Sequence, residues 1–129
     1  LVAGTLDARD EKNLPVITRW LDLTAWLLET TARMPKHWRP SLVHRIDEEA
    51  IAILTLLTEA AYRKKKLDLL KETNLKLTRL RILLELAQRL KAISPGAHAN
   101  ALEAIDEVGR MVGGWIRSAR EREAGQGSA

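Results

Sequence analysis

Apolar residues recur at helical spacing through four long stretches of this chain, separated by short breaks, and that pattern restricts it to a helical bundle. The first stretch carries Val16, Trp20, Leu23 and Leu27 to about residue 34, with Asn13 placed to cap it and Pro15 in its opening turn. Two prolines bracket a turn in PKHWRPS, residues 35–41. The second stretch, residues 40–62, turns Val43, Ile46, Ala50, Ile53, Leu57 and Ala60 inward, and the basic run at 63–66 suits a helix C-terminus. A third spans residues 67–93. Ser94 and Pro95 then supply a cap and a first-turn proline for a fourth, expected to end near residue 123.

At 129 residues, with 46% apolar residues and neither cysteine nor phenylalanine, the chain suits one all-α domain. Short connections predict an antiparallel up-down-up-down four-helix bundle over residues 14–123, between a flexible segment at 1–13 and a flexible tail at 124–129. The lack of cysteine excludes disulfides and thiolate chemistry and fits a cytoplasmic protein. No apolar run reaches the length of a membrane span, so no membrane partner is expected.

The fourth helix contains EVGRMVGGWIRS, residues 107–118, in which Gly109, Gly113 and Gly114 interrupt a stripe of Ala101, Ile105, Val108, Val112, Trp115 and Ala119. Each glycine costs about 1 kcal/mol against alanine in a helix, so the missing side chains need a use. Gly109 and Gly113 form a small-xxx-small ridge that permits close helix contact and is a candidate for the oligomer interface. Arg110 and Arg117 face outward. Arg110 can pair with Glu107 or Asp106 at helical spacing, or meet nucleic acid or a partner.

The third helix is apolar on two sides. Leu69, Leu80, Leu83, Ala87 and Leu90, bordered by Leu70, Leu77 and Leu84, suffice for a core; Leu75, Ile82 and Leu86 lie elsewhere. A second apolar strip normally has a cover, which predicts self-association through Leu75, Ile82 and Leu86, the alternative being burial beneath the N-terminal segment.

Charge is uneven along the chain. Residues 63–93 hold ten Lys/Arg against three Asp/Glu, a net of +7, whereas residues 1–62 and 94–129 are net −2 and −1. Lys64, Lys65 and Lys66 cluster with Arg63 at one bundle end, followed by Lys71, Lys76, Arg79, Arg81, Arg89 and Lys91. Such residues neutralise phosphates and release counterions, which makes a polyanion the first candidate partner. Trp38 can stack on a base or plug the bundle end.

Signals for catalysis are weak. No histidine follows a glutamate by three residues, His44 and Glu48 at i,i+4 do not make a metal site, and His37 and His98 fall in predicted turns where capping or exposure is ordinary. Walker A, dinucleotide and nucleophile-elbow motifs are missing. Neither enzymatic activity nor a cofactor or metal is expected.

Three segments, PKHWRPSL at 35–42, LTRLRILLELAQRL at 77–90 and most specifically EVGRMVGGWIRS at 107–118, resemble the accessory variability determinant (Avd) proteins of diversity-generating retroelements. A more distant resemblance is to four-helix proteins encoded in intervening sequences of bacterial 23S ribosomal RNA genes. The resemblance covers nearly all of residues 14–120. It implies a non-enzymatic four-helix bundle that assembles into a ring, typically a pentamer, and binds the reverse transcriptase, its template RNA and the cDNA during error-prone synthesis. Carried over by position, the basic residues implied are Arg79, Arg81, Arg89, Arg110 and Arg117. The alternative is a protein-interaction bundle of the intervening-sequence type with no direct nucleic-acid role. Acidic residues Asp47, Glu48 and Glu49 crowd the second helix, at odds with a uniformly basic surface.

Overall fold

A computed structural model describes residues 8–128. Every regular element among them is helical: α1 (Leu14–Thr31), α2 (His44–Tyr62), α3 (Leu67–Arg89) and α4 (Pro95–Ser128), with a short 3-10 turn at Ala8–Asn13 ahead of α1. α1 packs on α2 and α4, and α3 packs on α2 and α4, so each helix has two neighbours around one shared core.

The expected stripe of α1 is buried, and polar residues join it by satisfying their own hydroxyls. Thr24 Oγ1 donates to the Trp20 carbonyl at 2.7 Å, the i−4 bond that lets threonine sit inside a helix. The Trp20 indole is fully buried, and its Nε1 donates to the Ala50 carbonyl at 2.9 Å, fastening α1 to α2. At the far end of α1, Thr31 Oγ1 donates to Asp47 Oδ1 at 2.7 Å in the first turn of α2, where a carboxylate is also favoured by the helix dipole.

Between α1 and α2, Pro35 is extended (φ −52°, ψ 136°), Lys36–Trp38 forms a 3-10 turn, and Arg39–Val43 forms a single wide π turn. The sequence predicts that the second helix begins as α-helix at Pro40. The wide turn comes first, with the His44 N–H donating to the Arg39 carbonyl five residues back, across a proline that has no N–H of its own. All six residues expected to face inward in this region, Val43 through Ala60, are buried.

The seam of α3 is Leu70, Thr73, Leu77, Leu80, Leu84 and Ala87, a strict alternation of three- and four-residue steps. The predicted arc is rotated slightly from this. Leu69 and Leu83 are only half-buried and Leu90 is exposed, while Thr73 takes a core position because its hydroxyl donates to the Leu69 carbonyl at 2.8 Å. α3 stops at Arg89 rather than near residue 93. Lys91 adopts φ 58°, its N–H reaching Gln88 O at 2.9 Å and the Ala92 N–H reaching Ala87 O at 2.8 Å, a Schellman closure with lysine where glycine is usual.

Ser94 caps α4 as expected, its Oγ accepting the Ala97 N–H at 3.1 Å. The stripe from Ala101 to Ala119 is buried, with Trp115 beside Trp20 among the largest enclosed side chains. α4 continues as helix to Ser128, beyond the end expected near residue 123. The expectation of a flexible segment falls partly on residues 1–7, which lie outside the described residues. Among the described residues no helix is long and apolar enough to cross a membrane.

Candidate nucleic-acid and partner interface

The basic residues of the middle of the chain have unequal fates. Arg63 ends α2 in extended conformation (φ −99°, ψ 143°), and Lys64 and Lys65 that follow are exposed. Lys66 is not part of that cluster. It is 1% exposed, its carbonyl accepts the Leu70 N–H that starts α3, and its Nζ lies 5.8 Å from the ring centroid of Trp115. The helix start turns this side chain inward over the indole, where cation–π attraction and packing of its stem hold it away from phosphate. Lys66 is therefore not part of the exposed basic surface, contrary to the expectation from the basic run.

Lys71 is exposed, as is Arg89, whose Nε stands 3.6 Å from Glu85 within α3. Arg79 and Lys76 share a single acid on α2: Glu49 Oε1 is 3.8 Å from Arg79 and Oε2 is 3.9 Å from Lys76. The Glu49 side chain is only 17% exposed but Arg79 is 53% exposed, so this one carboxylate, shared by two cations, offsets part of the positive potential of that face. Arg81 pairs across the bundle with Asp106 of α4. The basic stripe seen in the sequence is thus partly neutralised by neighbouring helices.

Arg110 does not take the carboxylate expected at three residues. Glu107 instead accepts Arg19 Nε from α1 at 2.9 Å, and the acid expected at four residues, Asp106, goes to Arg81. Arg110, Arg117 and Arg81 line one groove between α3 and α4, about 600 Å³ in volume, together with Gly109, Gly113 and Asp106. Residues singled out in the sequence for two separate reasons, their charge or their lack of a side chain, meet here.

The glycines do not serve close packing within the chain. A Cβ at Gly109 would have no neighbour within 4 Å, and Cβ atoms at Gly113 and Gly114 would stand at ordinary contact distance, 3.9 and 3.7 Å, from the Arg117 guanidinium. The expectation of a tight intramolecular helix contact is corrected accordingly: the small residues leave the groove open and let Arg117 lie back along α4. The helix-propensity cost of Gly109, about 1 kcal/mol, is not recovered by any contact inside the bundle.

On the outer face of α3, Leu75, Ile82 and Leu86 are 52%, 62% and 45% exposed. No described residue covers them. Beside this ridge a second groove, of about 330 Å³ between α2 and α3, is lined by Arg45, Glu48, Glu49, Arg79, Ile82 and Leu83. Arg45 is not among the sequence candidates, although its spacing of three and four residues from Glu48 and Glu49 places all three on one side of α2.

The aromatic and histidine candidates resolve plainly. Trp38 is half-buried against the core and 4.5 Å from the His37 ring at a 47° tilt, which fits a plug at the bundle end better than an open stacking platform. His44 and Glu48 form the expected exposed pair at 3.3 Å. His98 is buried rather than exposed, with Nε2 3.4 Å from Glu85, because the first turn of α4 folds it toward α3. No group of three or more His, Asp or Glu side chains among the described residues is placed to hold a metal ion.

Comparison with known proteins adds a family to this geometry. A family model described as bAvd-like matches residues 16–119, nearly the whole bundle, including both grooves and the glycine-bearing part of α4. No curated protein matches the chain. With the match extending over far more than half its length, the chain belongs to the bAvd-like family.

Proposed function

We propose that this protein is a non-catalytic accessory factor of a diversity-generating retroelement, which binds the reverse transcriptase together with template RNA and its cDNA. Family membership supports the accessory role, and the convergence of Arg81, Arg110 and Arg117 on one groove is the observation that carries the nucleic-acid part. Arginine forks suit phosphate oxygens, and several on one face give affinity without sequence preference.

The working form in this proposal is a ring of identical up-and-down bundles, typically a pentamer, joined through Leu75, Ile82 and Leu86. The antiparallel arrangement is supported by facing pairs that run in opposite directions, Arg81 of α3 with Asp106 of α4, and Lys66 at the cap of α3 with Trp115 of α4. Ring assembly is supported by the exposed apolar ridge of α3. A ring multiplies a modest basic groove by the number of copies, raising avidity for a long polyanion.

Binding of the purified protein to structured RNA over a salt series tests this reading. The expected result is affinity that falls linearly on a log–log plot as salt rises. Affinity unchanged from low to moderate salt removes the case for phosphate binding. Tight retention of the reverse transcriptase with no RNA binding at low salt favours the interaction-module alternative, a reading that the sharing of Glu49 by Arg79 and Lys76 would then explain. A monomeric mass in light scattering at micromolar concentration contradicts the assembly.

A further inference from the structure

Between α3 and α4, guanidinium groups from both helices line a groove in which Gly109 leaves open space and Gly113 lies beside the Arg117 guanidinium. Arg81 stands on α3, and Arg110 and Arg117 stand on α4, two turns or about 10.5 Å apart along the helix. A Cβ at Gly109 would meet nothing within 4 Å, so packing inside the chain does not call for glycine there. An approaching ligand backbone gains the vacant space.

The chemistry of the lining selects the kind of ligand. Its apolar members, Leu77 and Ile105, are each 3% exposed, and none of the exposed large hydrophobic residues among the described ones lines it. A docking protein segment gains most from large apolar anchors, and no large apolar side chain is exposed in this groove. Asn74 and Thr78 add neutral hydrogen-bonding groups beside the arginines. A groove of about 600 Å³ between two helices holds a short stretch of one strand and cannot enclose a duplex, which would meet it along one backbone only. One acid is already inside: Asp106 engages Arg81 and competes with any incoming phosphate.

We infer that the α3–α4 groove seats a single nucleic-acid strand, with phosphates on Arg110 and Arg117 and, against competition from Asp106, on Arg81, while Gly109 leaves room for the sugar–phosphate backbone and Gly113 lets the Arg117 guanidinium lie along the groove. This rests on the accessory-protein reading above and adds to it a preference for single strands, a seat for the backbone beside Gly109 and an internal brake on affinity. RNA and DNA strands share the phosphate chemistry, and the choice between them falls to contacts with the 2′-hydroxyl.

The test is fluorescence anisotropy of the full-length protein with labelled oligouridylate, with oligodeoxythymidylate of the same length, and with a duplex. The strands are expected to bind ahead of the duplex. Asp106→Asn is expected to tighten strand binding about fivefold and to steepen the log–log salt slope by about 0.7, the contribution of one added phosphate on a single strand. Gly109→Leu is expected to weaken strand binding about tenfold, by occupying the space next to the backbone, with the melting temperature held or raised. Circular dichroism on each variant confirms the fold. Wild-type binding that neither variant alters overturns the groove as the seat and leaves the accessory reading standing. No wild-type binding to any of the three probes at low salt overturns both. A duplex bound more tightly than the strands, or variants that change reverse-transcriptase retention and leave strand affinity alone, overturns the proposal in favour of a duplex or protein site.

Discussion

The two grooves that flank α3 draw arginines from the same helix and treat them differently. On the α2 side, Arg45 and Arg79 face Glu48 and Glu49, two cations against two anions, with Ile82 and Leu83 exposed or half-buried between them. On the α4 side, Arg81, Arg110 and Arg117 face Asp106, three cations against one anion, over a surface with no exposed large apolar residue. Under the proposal above, adjacent faces of one helix serve different partners: a charge-balanced face with exposed apolar residues for protein, and a cationic one for phosphate. The potential of a helical face is set as much by the acids its neighbours bring as by its own lysines and arginines.

Removing the seam on which both grooves rest has the largest expected effect. Leu80 is fully buried on α3, and Leu80→Ala should cost about 3 kcal/mol in urea unfolding, softening the two sides together. If only one side changed in hydrogen exchange, the grooves would be mechanically independent. Gly109→Ala should do the opposite on the α4 side alone, raising stability by about 1 kcal/mol and the melting temperature by a few degrees, because the added methyl group meets no neighbour. A loss of stability would mean that the glycine is packed after all.

Smaller changes sharpen the contrast in charge. Glu49→Gln frees Arg79 and Lys76 and should lower stability by about 0.5 kcal/mol, the scale of a partly exposed ion pair, while raising affinity for RNA at low salt. That variant turns the balanced groove into a cationic one; unchanged RNA affinity would show that the α2 side faces away from the nucleic acid. The smallest effect is expected from Lys91→Gly, which relieves the left-handed conformation at φ 58° and should stabilise by about 0.5 kcal/mol in thermal unfolding, with neither groove altered.

Much of the fold was legible because the apolar stripes of α1, α2 and α4 are long and regular, and their inward residues are those expected. The stripe of α3 was harder, since leucine appears on several of its faces, and which leucines turn in depends on packing against α2 and α4, with Thr73 able to join the seam because its hydroxyl is satisfied within the helix. At the candidate site, the residue types were legible and their partners were not. Lys64, Lys65 and Lys66 are indistinguishable as a basic run, yet the third is drawn beneath α4 because Trp115 is there to receive it. Gly109 and Gly113 were recognisable as a cost to α4, but whether another helix closed on them depended on the tertiary arrangement, which leaves Gly109 open and Gly113 beside the Arg117 guanidinium. Pairings between residues distant in sequence, such as Arg19 with Glu107 and Arg81 with Asp106, leave no local periodic signal.

The most direct test compares the two sides in one salt series. Log affinity for a single-stranded RNA is plotted against log salt for the wild type, for Arg110→Ala with Arg117→Ala, and for Arg79→Ala. Removing two phosphate-neutralising arginines should reduce the single-strand slope by about 1.4 in the α4-side double variant, and Arg79→Ala, whose charge the shared Glu49 partly offsets, should reduce it by much less. A slope that falls for Arg79→Ala and holds for the double variant would contradict the account.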